Sequence, residues 1–370
     1  MKVTFCAGTA AELIKLAPLI GRAERAGQTW RAVFTGQAPK SFMAQWHDFG
    51  FDTGKLRVLE TRAEDLSSSS EAAAWLLRMT SRLPLPNKQL RLEQAKFKGG
   101  LWLVHGDTMS TFAGALLGAR LGMRVAHVEA GLRSHNLKDP FPEEMNRRSV
   151  AKIASLHYAP ERAAQHNLLR EKARGEVVYT AGNTQCDAVL EALANREQAR
   201  AHEDPYVLVN IHRFETMMSP ERGGQAKEIL RQASMRHRLV IVSHATTLAW
   251  LDKDPGFKRE LEQNGAIWLP RQTFSRFVRW LVDAEGIISD SGGNQEECAM
   301  LGVPCLLLRH VTERELPGGR TNVVLSQFRD ELIAPFLANP SSYRLPQLHQ
   351  GDSPADIIFA HMRRVSGDSA

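Results

Sequence analysis

The stretch Leu101-Trp102-Leu103-Val104-His105-Gly106-Asp107-Thr108 begins the segment that decides the fold. Its first four residues are apolar and typical of a strand, and apolar residues at helical spacing follow from Ser110 to Leu121. A second strand is predicted from Arg124 to Val128 and ends in Glu129. This β-α-β pattern predicts parallel strands, so Asp107 and Glu129 are both expected at the carboxyl edge of the sheet, where open α/β sheets bind ligands.

A loop rich in charge follows the second strand and contains the segments Gly131–Arg133 and Phe141–Arg147. Two carboxylates at one edge, joined by Glu143 and two arginines, are the residue types expected of an acid/base site for an anionic substrate. Asp107 has an alternative interpretation, because an acid at a strand end often caps the following helix. That alternative does not fit Glu129, because no helix pattern begins directly after it.

The composition is compatible with two domains and sets few limits on function. A chain of 370 residues can bury two cores, and no apolar run is long enough to span a membrane. Met1–Cys6 resembles a short strand rather than a secretory signal, so we expect a cytoplasmic protein. The net charge of +6 is accompanied by arginines scattered along the helices, which argues against nucleic-acid binding. With no C-x-x-C pair, four buried free thiols are expected, at Cys6, Cys186, Cys298 and Cys305.

A second α/β half is predicted from Tyr206 onward. Its short apolar strands are predicted at Tyr206–Val209, Leu239–Val242, Gly286–Ile288 and Val303–Leu308. The segment Ser291-Gly292-Gly293 leads into a helix, and two glycines there allow a phosphate or ribose to approach the positive end of the helix dipole. No apolar periodicity crosses the polar stretch Arg170–Glu176, so that stretch is the predicted interdomain linker.

Three segments of the first half resemble the signature segments of the UDP-N-acetylglucosamine 2-epimerase family, with matching intervals: His105–Thr108 (HGDT), His127–Arg133 (HVEAGLR) and Pro142–Arg147 (PEEMNR). In the second half, 291–297 and 312–314 resemble the family's nucleotide-binding segments. The chain is most similar to the non-hydrolysing bacterial type. The resemblance implies two Rossmann-like α/β domains facing a cleft (GT-B), predicted as 1–170 and 171–352, with the C-terminal helix in 353–370 crossing back to the first domain.

The resemblance also implies an activity. Members of the family are isomerases that invert C2 of UDP-N-acetylglucosamine to give UDP-N-acetylmannosamine, for the synthesis of surface polysaccharide precursors. UDP is eliminated from C1, a glycal forms as C2 loses its proton, and UDP adds back after protonation on the other face. No metal or other cofactor is required. The implied partner is a UDP-sugar substrate, without nucleic acid or membrane, and the implied assembly is a homodimer.

The resemblance assigns two sets of residues in this chain. The catalytic set is Asp107, Glu129, Glu143 and His212, and which acid serves which face of the sugar stays open. The substrate-binding set is Lys15, Arg147, Gln272, Phe277, Ser291, Gly292, Gly293, Glu297 and Arg314. Phe277 has an almost equal alternative as a core residue.

The chain departs from the family pattern in two turns and in one regulatory segment. Ala10 and Ala11 follow Gly8-Thr9, where an arginine and a proline are usual, and Ile211 replaces the glycine of a Gly-His-Arg motif. Many bacterial members carry Gln-His-Arg in a site for a second nucleotide sugar. Here Gln37 is followed by alanine and proline, so we expect that regulatory site to be absent.

Four other functions remain as alternatives. A hydrolysing relative would release UDP and N-acetylmannosamine, and a related enzyme would epimerise a UDP-diacetamido sugar. A GT-B glycosyltransferase would share the nucleotide half, and a non-catalytic sensor of nucleotide sugars would keep only the glycine-rich turn. The presence of all three acids argues against the last two.

Overall fold

A computed structural model describes residues 1–64, 71, 74–75, 77–79, 96–136, 142–194, 201–312, 319–348 and 351–367. The chain divides into two compact units. Unit 1 comprises Met1–Ala188 and Gly351–Ala370, and unit 2 comprises Val189–Gln350. Each unit is built on one parallel sheet, so the predicted class of two Rossmann-like α/β domains is confirmed. Within the described residues, no helix has the length and apolar character needed to cross a membrane.

Unit 1 contains a seven-stranded sheet in the order β3-β2-β1-β4-β5-β6-β7. Its strands are β1 (Lys2–Ala7), β2 (Thr29–Phe34), β3 (Leu56–Val58), β4 (Leu101–His105), β5 (Arg124–Val128), β6 (Leu156–Ala159) and β7 (Glu176–Tyr179). Both faces of β4 are buried: Leu101 and Leu103 join one apolar cluster, while Trp102 and Val104 join another. Continuous apolar strands of this kind are typical of parallel sheets that helices cover on both sides.

The helices whose bounds are described before the second sheet are α1 (Ala10–Arg25), α2 (Pro39–Asp48), α3 (Met109–Arg120), α4 (Glu143–Ile153), α5 (Arg162–Arg170) and α6 (Thr184–Ala194). Thr9 caps α1 and Thr108 caps α3, each accepting a hydrogen bond from a backbone N–H of the first turn. These caps fix the two turns that leave β1 and β4. The sequence also allows helices at 71–82 and 90–96, and both ranges lie largely outside the described residues.

Unit 2 contains a six-stranded sheet in the order β10-β9-β8-β11-β12-β13. The strands are β8 (Val207–Asn210), β9 (Leu239–Ser243), β10 (Ile267–Pro270), β11 (Gly286–Ser289), β12 (Cys305–Leu307) and β13 (Val323–Leu325). The helices are α7 (Phe214–Met218), α8 (Pro220–Ser234), α9 (Ala245–Leu251), α10 (Pro255–Gln263), α11 (Phe274–Asp283), α12 (Gly292–Leu301) and α13 (Asp330–Ala338). The four cysteines of the chain are buried free thiols, as predicted.

Helix α14 (Pro354–Val365) returns to unit 1, which confirms the predicted course of the C-terminal segment. Three apolar residues on its buried face join the core of unit 1: Ala355, Ile358 and Met362. Its first turn is held by the Asp187 carboxylate, which accepts hydrogen bonds from the Ser353 hydroxyl and, at 3.0 Å, from the Ala355 N–H. Arg22 of α1 donates to Asp356 at 2.5 Å.

The division between the units differs from the predicted one. It falls at residues 188/189, inside α6, rather than at 170/171. The predicted linker is instead the turn that leads into β7, and β7 pairs in parallel with β6 from Leu156↔Glu176 to Ala159↔Tyr179. Because β7 is the last strand of the first sheet, the chain cannot leave unit 1 before it.

His127 is a fully buried histidine in the middle of the first sheet. Its Nε2 lies 2.7 Å from the carbonyl oxygen of Gly106. Burial lowers the pKa of His127 to about 3, so the ring is neutral and donates its Nε2 hydrogen to that oxygen.

We expect the free energy of unfolding to fall as the pH drops from about 6.5 toward 3, because unfolded His127 takes up a proton that the folded chain excludes. The linkage amounts to at most about 1.4 kcal/mol per pH unit. His127→Gln keeps an N–H for Gly106 and does not titrate, so its stability should fall less between pH 7 and pH 5. Urea unfolding of both proteins measures the difference, and equal pH dependence would contradict a neutral His127.

Candidate active site

The carboxyl edge of the first sheet brings together the acids that the sequence predicted for unit 1. β1, β4 and β5 are neighbours, so the turns that follow them lie side by side. These turns carry Lys15 on α1, Asp107 after β4 and Glu129 after β5. Helix α4 adds Glu143 and Arg147.

Glu129 is the most constrained of these acids. Its backbone φ is +63°, in the left-handed region that residues other than glycine rarely adopt. Its side chain is buried, and Oε2 accepts hydrogen bonds from Lys15 Nζ at 2.6 Å and from Asn183 Nδ2. His105 Nε2 lies 3.5 Å from the same oxygen. Strained residues cluster at functional sites, so this geometry favours a functional role for Glu129.

Lys15 has a partner within the protein that the sequence did not reveal. Lys15 was predicted as a substrate-binding residue near the start of a helix, but the structure gives its buried ammonium a protein carboxylate. Asn183 follows the last strand of this sheet, which makes it a plausible edge residue from the sequence, and the fold brings its amide to Glu129. Both side chains therefore position the Glu129 carboxylate.

Asp107 and Arg147 form an ion pair. Arg147 donates to Asp107 Oδ2 from Nε at 2.9 Å and from an Nη at 2.6 Å. Asn146 also donates to the backbone oxygen of Asp107 at 2.9 Å. The sequence placed Asp107 and Arg147 in one site with separate roles, and the structure shows that they are in contact. The pair fastens α4 to the turn that follows β4.

Glu143 and Glu144 are adjacent but differ in their surroundings. Glu143 is the first residue of α4 and is partly buried, at the helix end where carboxylates are favoured. Glu144, which the sequence analysis did not single out, is fully buried. It accepts hydrogen bonds from the Ser134 N–H at 3.0 Å and from Arg148 Nε at 2.8 Å. Glu144 thus holds the segment after β5 against α4.

Glu12 is a second buried acid that the sequence analysis did not assign to the site. Its carboxylate accepts hydrogen bonds from the N–H groups of Gly8 at 2.8 Å and Thr9 at 2.9 Å. It also accepts from the hydroxyls of Thr108 at 2.8 Å and Thr111 at 2.9 Å. Burial raises the pKa of Glu12, and these hydrogen bonds oppose the shift. The spacing Thr9-x-x-Glu12 is a capping box and is the signal that could have revealed half of this arrangement.

In unit 2, two histidines meet at the carboxyl edge of β8 and β9. The rings of His212 and His244 have centroids 4.8 Å apart. His244 Nε2 lies 2.8 Å from Asn210 Oδ1. Burial lowers the pKa of His212, and it lowers the pKa of His244 to about 3. Both rings are therefore neutral at neutral pH and suited to hydrogen bonding.

Asp290 anchors the loop that carries His212. It is fully buried, and its two carboxylate oxygens accept the backbone N–H groups of His212 at 3.1 Å and of Arg213 at 2.9 Å. The sequence gave no signal for this contact, because Asp290 follows β11 and the histidine follows β8. Its carboxylate fixes the turn in which Ile211 replaces the usual glycine.

A buried polar network connects the end of β8 to the start of α12. Asn210 Nδ2 donates to Asn294 Oδ1 at 2.7 Å, and Ser289 Oγ donates to the same oxygen at 2.7 Å. Asn294 Nδ2 in turn donates to Glu297 Oε2 at 2.7 Å. Glu297, one of the predicted substrate-binding residues, therefore has a protein partner for one oxygen. Asn210 and Asn294 are the members that the predicted site lacked.

The glycine-rich entrance to α12 is open. Ser291 is the N-cap residue of the helix, followed by Gly292 and Gly293 as its first two residues. A Cβ atom added at Gly293 would come no closer than 3.6 Å to any other side chain, with Ser291 Oγ as its nearest neighbour. The backbone N–H groups of this first turn are thus placed to meet an anion.

The remaining predicted residues of unit 2 have different surroundings. Gln272 donates from Nε2 to the carbonyl oxygen of Pro270 at 2.6 Å. Phe277 lies in α11 and is buried, which fits its alternative as a core residue. Thr312 donates to Gln295 at 2.7 Å, whereas Arg314 lies outside the described residues.

Comparison with known proteins decides the family. A model of the UDP-N-acetylglucosamine 2-epimerase family matches residues 87–337. The chain belongs to this family. It is 31% identical over 348 residues to the UDP-N-acetylglucosamine 2-epimerase of Methanocaldococcus jannaschii, covering 90% of each chain. It is 30% identical over 325 residues to the Bacillus subtilis 2-epimerase, covering 85% of this chain and 80% of that one.

Solved 2-epimerase structures share the fold. The M. jannaschii UDP-GlcNAc 2-epimerase in complex with UDP-GlcNAc and UDP aligns with a TM-score of 0.79 at 26% identity, covering 99% of this chain and 100% of that one. The Neisseria meningitidis 2-epimerase bound to UDP-GlcNAc aligns with a TM-score of 0.74 at 26% identity, covering 98% and 100% of the two chains. The predicted family membership and the predicted enzyme class are confirmed.

In this member of the 2-epimerase family, Asp290→Ala should lower the free energy of unfolding by about 2 kcal/mol or more, because two backbone N–H groups lose their acceptor. Asp290→Asn keeps one carbonyl oxygen and should lose less. Urea unfolding compares the two variants with the parent. An alanine variant as stable as the parent would show that Asp290 does not anchor the His212 loop.

Proposed function

We propose that this protein inverts C2 of UDP-N-acetylglucosamine to give UDP-N-acetylmannosamine. The observation that carries the proposal is the buried Glu129, held in a left-handed backbone conformation with one oxygen shared by Lys15 and Asn183. Relatives with which the chain shares family and fold are named as UDP-N-acetylglucosamine 2-epimerases, and one of them is solved with UDP-GlcNAc and UDP. The location of Asp107 and Glu129 after neighbouring strands, at the carboxyl edge of the sheet, supports the proposal.

The reaction proceeds by elimination and addition. The proton on C2 is too weakly acidic to be removed alone at neutral pH, so the C1–O bond breaks and UDP leaves with its electron pair. The C2–H electron pair then forms the C1–C2 double bond of the glycal as a base takes the proton. A proton is delivered to C2 from the opposite face, and UDP adds back to C1. The product has the same atoms and the same charge as the substrate and differs only in the configuration at C2.

Removal from one face and delivery to the other requires two proton-transfer groups. Glu129 is the candidate for one face, because the Lys15 ammonium and the Asn183 amide hold its carboxylate in a fixed position. Asp107 and Glu143 are the candidates for the other face. Arg147 pairs with Asp107, and its buried Nη1 lies 3.9 Å from Glu144 Oε2, so this guanidinium holds two acids of the site in place.

Unit 2 binds the uridine diphosphate in this proposal. The neutral His212 offers a ring N–H to the diphosphate, and the first turn of α12 offers backbone N–H groups at the positive end of a helix dipole. The family resemblance implies that Glu297 contacts the ribose and that Ser291 belongs to the substrate-binding set. This route uses no metal or redox cofactor. A homodimer and a cytoplasmic location stay predictions.

Proton NMR of the purified protein with UDP-N-acetylglucosamine in heavy water tests the function. We expect deuterium at C2 and the appearance of UDP-N-acetylmannosamine, without accumulation of UDP. Accumulation of UDP with free N-acetylmannosamine would support the hydrolysing alternative instead. The absence of both exchange at C2 and an epimer would overturn the proposal.

We expect Asp107→Asn, Glu129→Gln and Glu143→Gln each to lower turnover by at least about a hundredfold, because each removes a general acid/base group. UDP affinity should change little, since unit 2 binds the nucleotide. Glu24→Gln is the matched control: this exposed acid on α1 pairs with Lys55, and its loss should leave turnover nearly unchanged. Steady-state kinetics and UDP titration give both quantities. Near-normal turnover in two of the three site variants would exclude the mechanism.

Gly293→Val should weaken UDP binding while the fold is kept, because a Cβ atom at this position meets the protein only at van der Waals distance and the valine side chain would fill the entrance to α12. Calorimetric titration with UDP measures the affinity, and circular dichroism checks the fold. Unchanged affinity in a folded variant would place the phosphate site elsewhere.

The segment that forms a second nucleotide-sugar site in regulated relatives is engaged internally here. Gln37 accepts a hydrogen bond from Ser110 Oγ at 2.5 Å, and the Ala38 N–H donates to the Gly8 carbonyl at 2.9 Å. Ala38 and Pro39 offer no side-chain donor, and each lost contact to a diphosphate costs roughly 1.5–3 kcal/mol, or about one to two powers of ten in affinity.

The rate should therefore depend hyperbolically on UDP-N-acetylglucosamine, and the reverse reaction should start without that sugar. Initial rates in both directions test this. A sigmoidal curve, or a reverse reaction that waits for added UDP-N-acetylglucosamine, would show that another segment supplies a regulatory site.

A further inference from the structure

A basic cavity lies in unit 1 away from the candidate acids. It has a volume of about 340 Å³ and lies between the C-terminal half of α4 and the turn that joins α5 to β7. Five charged side chains and two alanines line it; the charged ones are Arg148, Lys152, Glu171, Lys172 and Arg174. A cavity of this size falls within the range of small-ligand sites.

The cavity and the acid cluster lie at different ends of the same helix. α4 begins with Glu143 at the carboxyl edge of the sheet and ends at Ile153, just before β6 begins. The turn after α5 leads into the start of β7, which pairs with the start of β6. The cavity is therefore near the amino ends of β6 and β7, and a ligand there would not occupy the place of the sugar.

The charges around the cavity do not cancel. Glu171 is engaged by Arg133, whose buried guanidinium donates to both carboxylate oxygens, at 3.0 and 2.7 Å. Arg133 also lowers the pKa of Glu171, so this carboxylate stays ionised and its charge is balanced by Arg133. Arg148 pairs with the buried Glu144 at 2.8 Å.

Three cations of the lining are left over. Lys152, Lys172 and Arg174 make no ion pair with any residue that the structure describes, and all three are exposed. Like charges around a concave surface add their potentials and raise the local concentration of anions. The lining of the cavity thus carries an excess of positive charge that would attract a negative ligand.

Lys172 occupies a backbone position that glycine would fill at lower conformational cost. Its φ is +51°, and it lies at the end of α5 where the Lys172 N–H donates to Leu169 and the Ala173 N–H donates to Leu168. This is a Schellman cap, whose left-handed residue is usually glycine. A lysine at this position brings a positive charge to the cavity, although its left-handed backbone conformation costs conformational energy. Residues held in such conformations cluster at functional sites.

We propose that this cavity binds a small phosphate-bearing anion, at a site separate from that of the UDP-sugar. Three unpaired cations suit the charge of a phosphate monoester or a diphosphate. The volume leaves room for an organic group beside one phosphate, and the two alanines offer that group an apolar surface.

Calorimetric titration of the full-length protein with inorganic pyrophosphate, in the presence of saturating UDP, tests the proposal. We expect one equivalent to bind, because UDP blocks the diphosphate site of unit 2 and leaves the cavity free. A parallel titration with a hexose monophosphate distinguishes the source: tighter binding of the sugar ester identifies an organic phosphate, and tighter binding of pyrophosphate identifies the inorganic ion.

Variants locate the bound anion. Lys152→Gln with Arg174→Gln should weaken binding at least about tenfold, since each exposed ion pair contributes a few-fold in affinity. Lys98→Gln with Arg120→Gln removes the same charge from exposed positions of unit 1, and Arg120 matches Lys152 as a cation in a last helical turn. This control pair should bind pyrophosphate within about twofold of the parent.

Lys172→Gly separates binding from folding. It should weaken pyrophosphate binding while the melting temperature stays at or above that of the parent, because glycine relieves the left-handed residue. The proposal is overturned by an absence of binding at millimolar pyrophosphate, by binding that UDP abolishes, or by equal affinities in the two double variants. None of these outcomes depends on epimerase activity.

Discussion

A buried carboxylate needs hydrogen-bond donors to replace the water that it loses. The acid cluster of unit 1 is arranged around the donors that bind the buried carboxylate of Glu12. The donors come from the turns after β1 and β4, which neighbouring parallel strands bring side by side. Lys15, one turn further along α1, reaches Glu129, while Asp107 directly precedes one of the donors, Thr108. The geometry of the candidate acids thus depends on a side chain with no proposed part in the chemistry.

Much of this edge could be predicted, because periodicity and parallel pairing are local properties. The β4-α3-β5 pattern placed Asp107 and Glu129 after adjacent strands, which is where the structure has them. The Asp107–Arg147 pair and the contact of Asn183 with Glu129 could not be predicted, because they join distant parts of the chain through packing. The spacing of residues in the sequence does not show which of these distant side chains contact each other.

The division between the units shows a different limit of sequence patterns. β7 is an edge strand, half exposed and beginning with Glu176, so it lacks the continuous apolar run of the strands at the centre of the sheet. A weak strand after a polar turn resembles a linker, whereas only pairing with β6 reveals it as part of the sheet. Asp290 shows the same limit, because its carboxylate holds the loop that follows a different strand, β8, and sequence patterns do not reveal such a contact.

The return of α14 to unit 1 has a consequence for how the chain is made. Unit 1 comprises residues on both sides of unit 2 in the sequence, so a ribosome must synthesise all of unit 2 before unit 1 can be completed. Until then, the core that Ala355, Ile358 and Met362 cover stays open, and the Asp187 carboxylate lacks the helix end that it caps. A nascent chain with exposed apolar surface is prone to aggregation. Unit 2 can fold during translation, whereas unit 1 can be completed only after α14 has been synthesised.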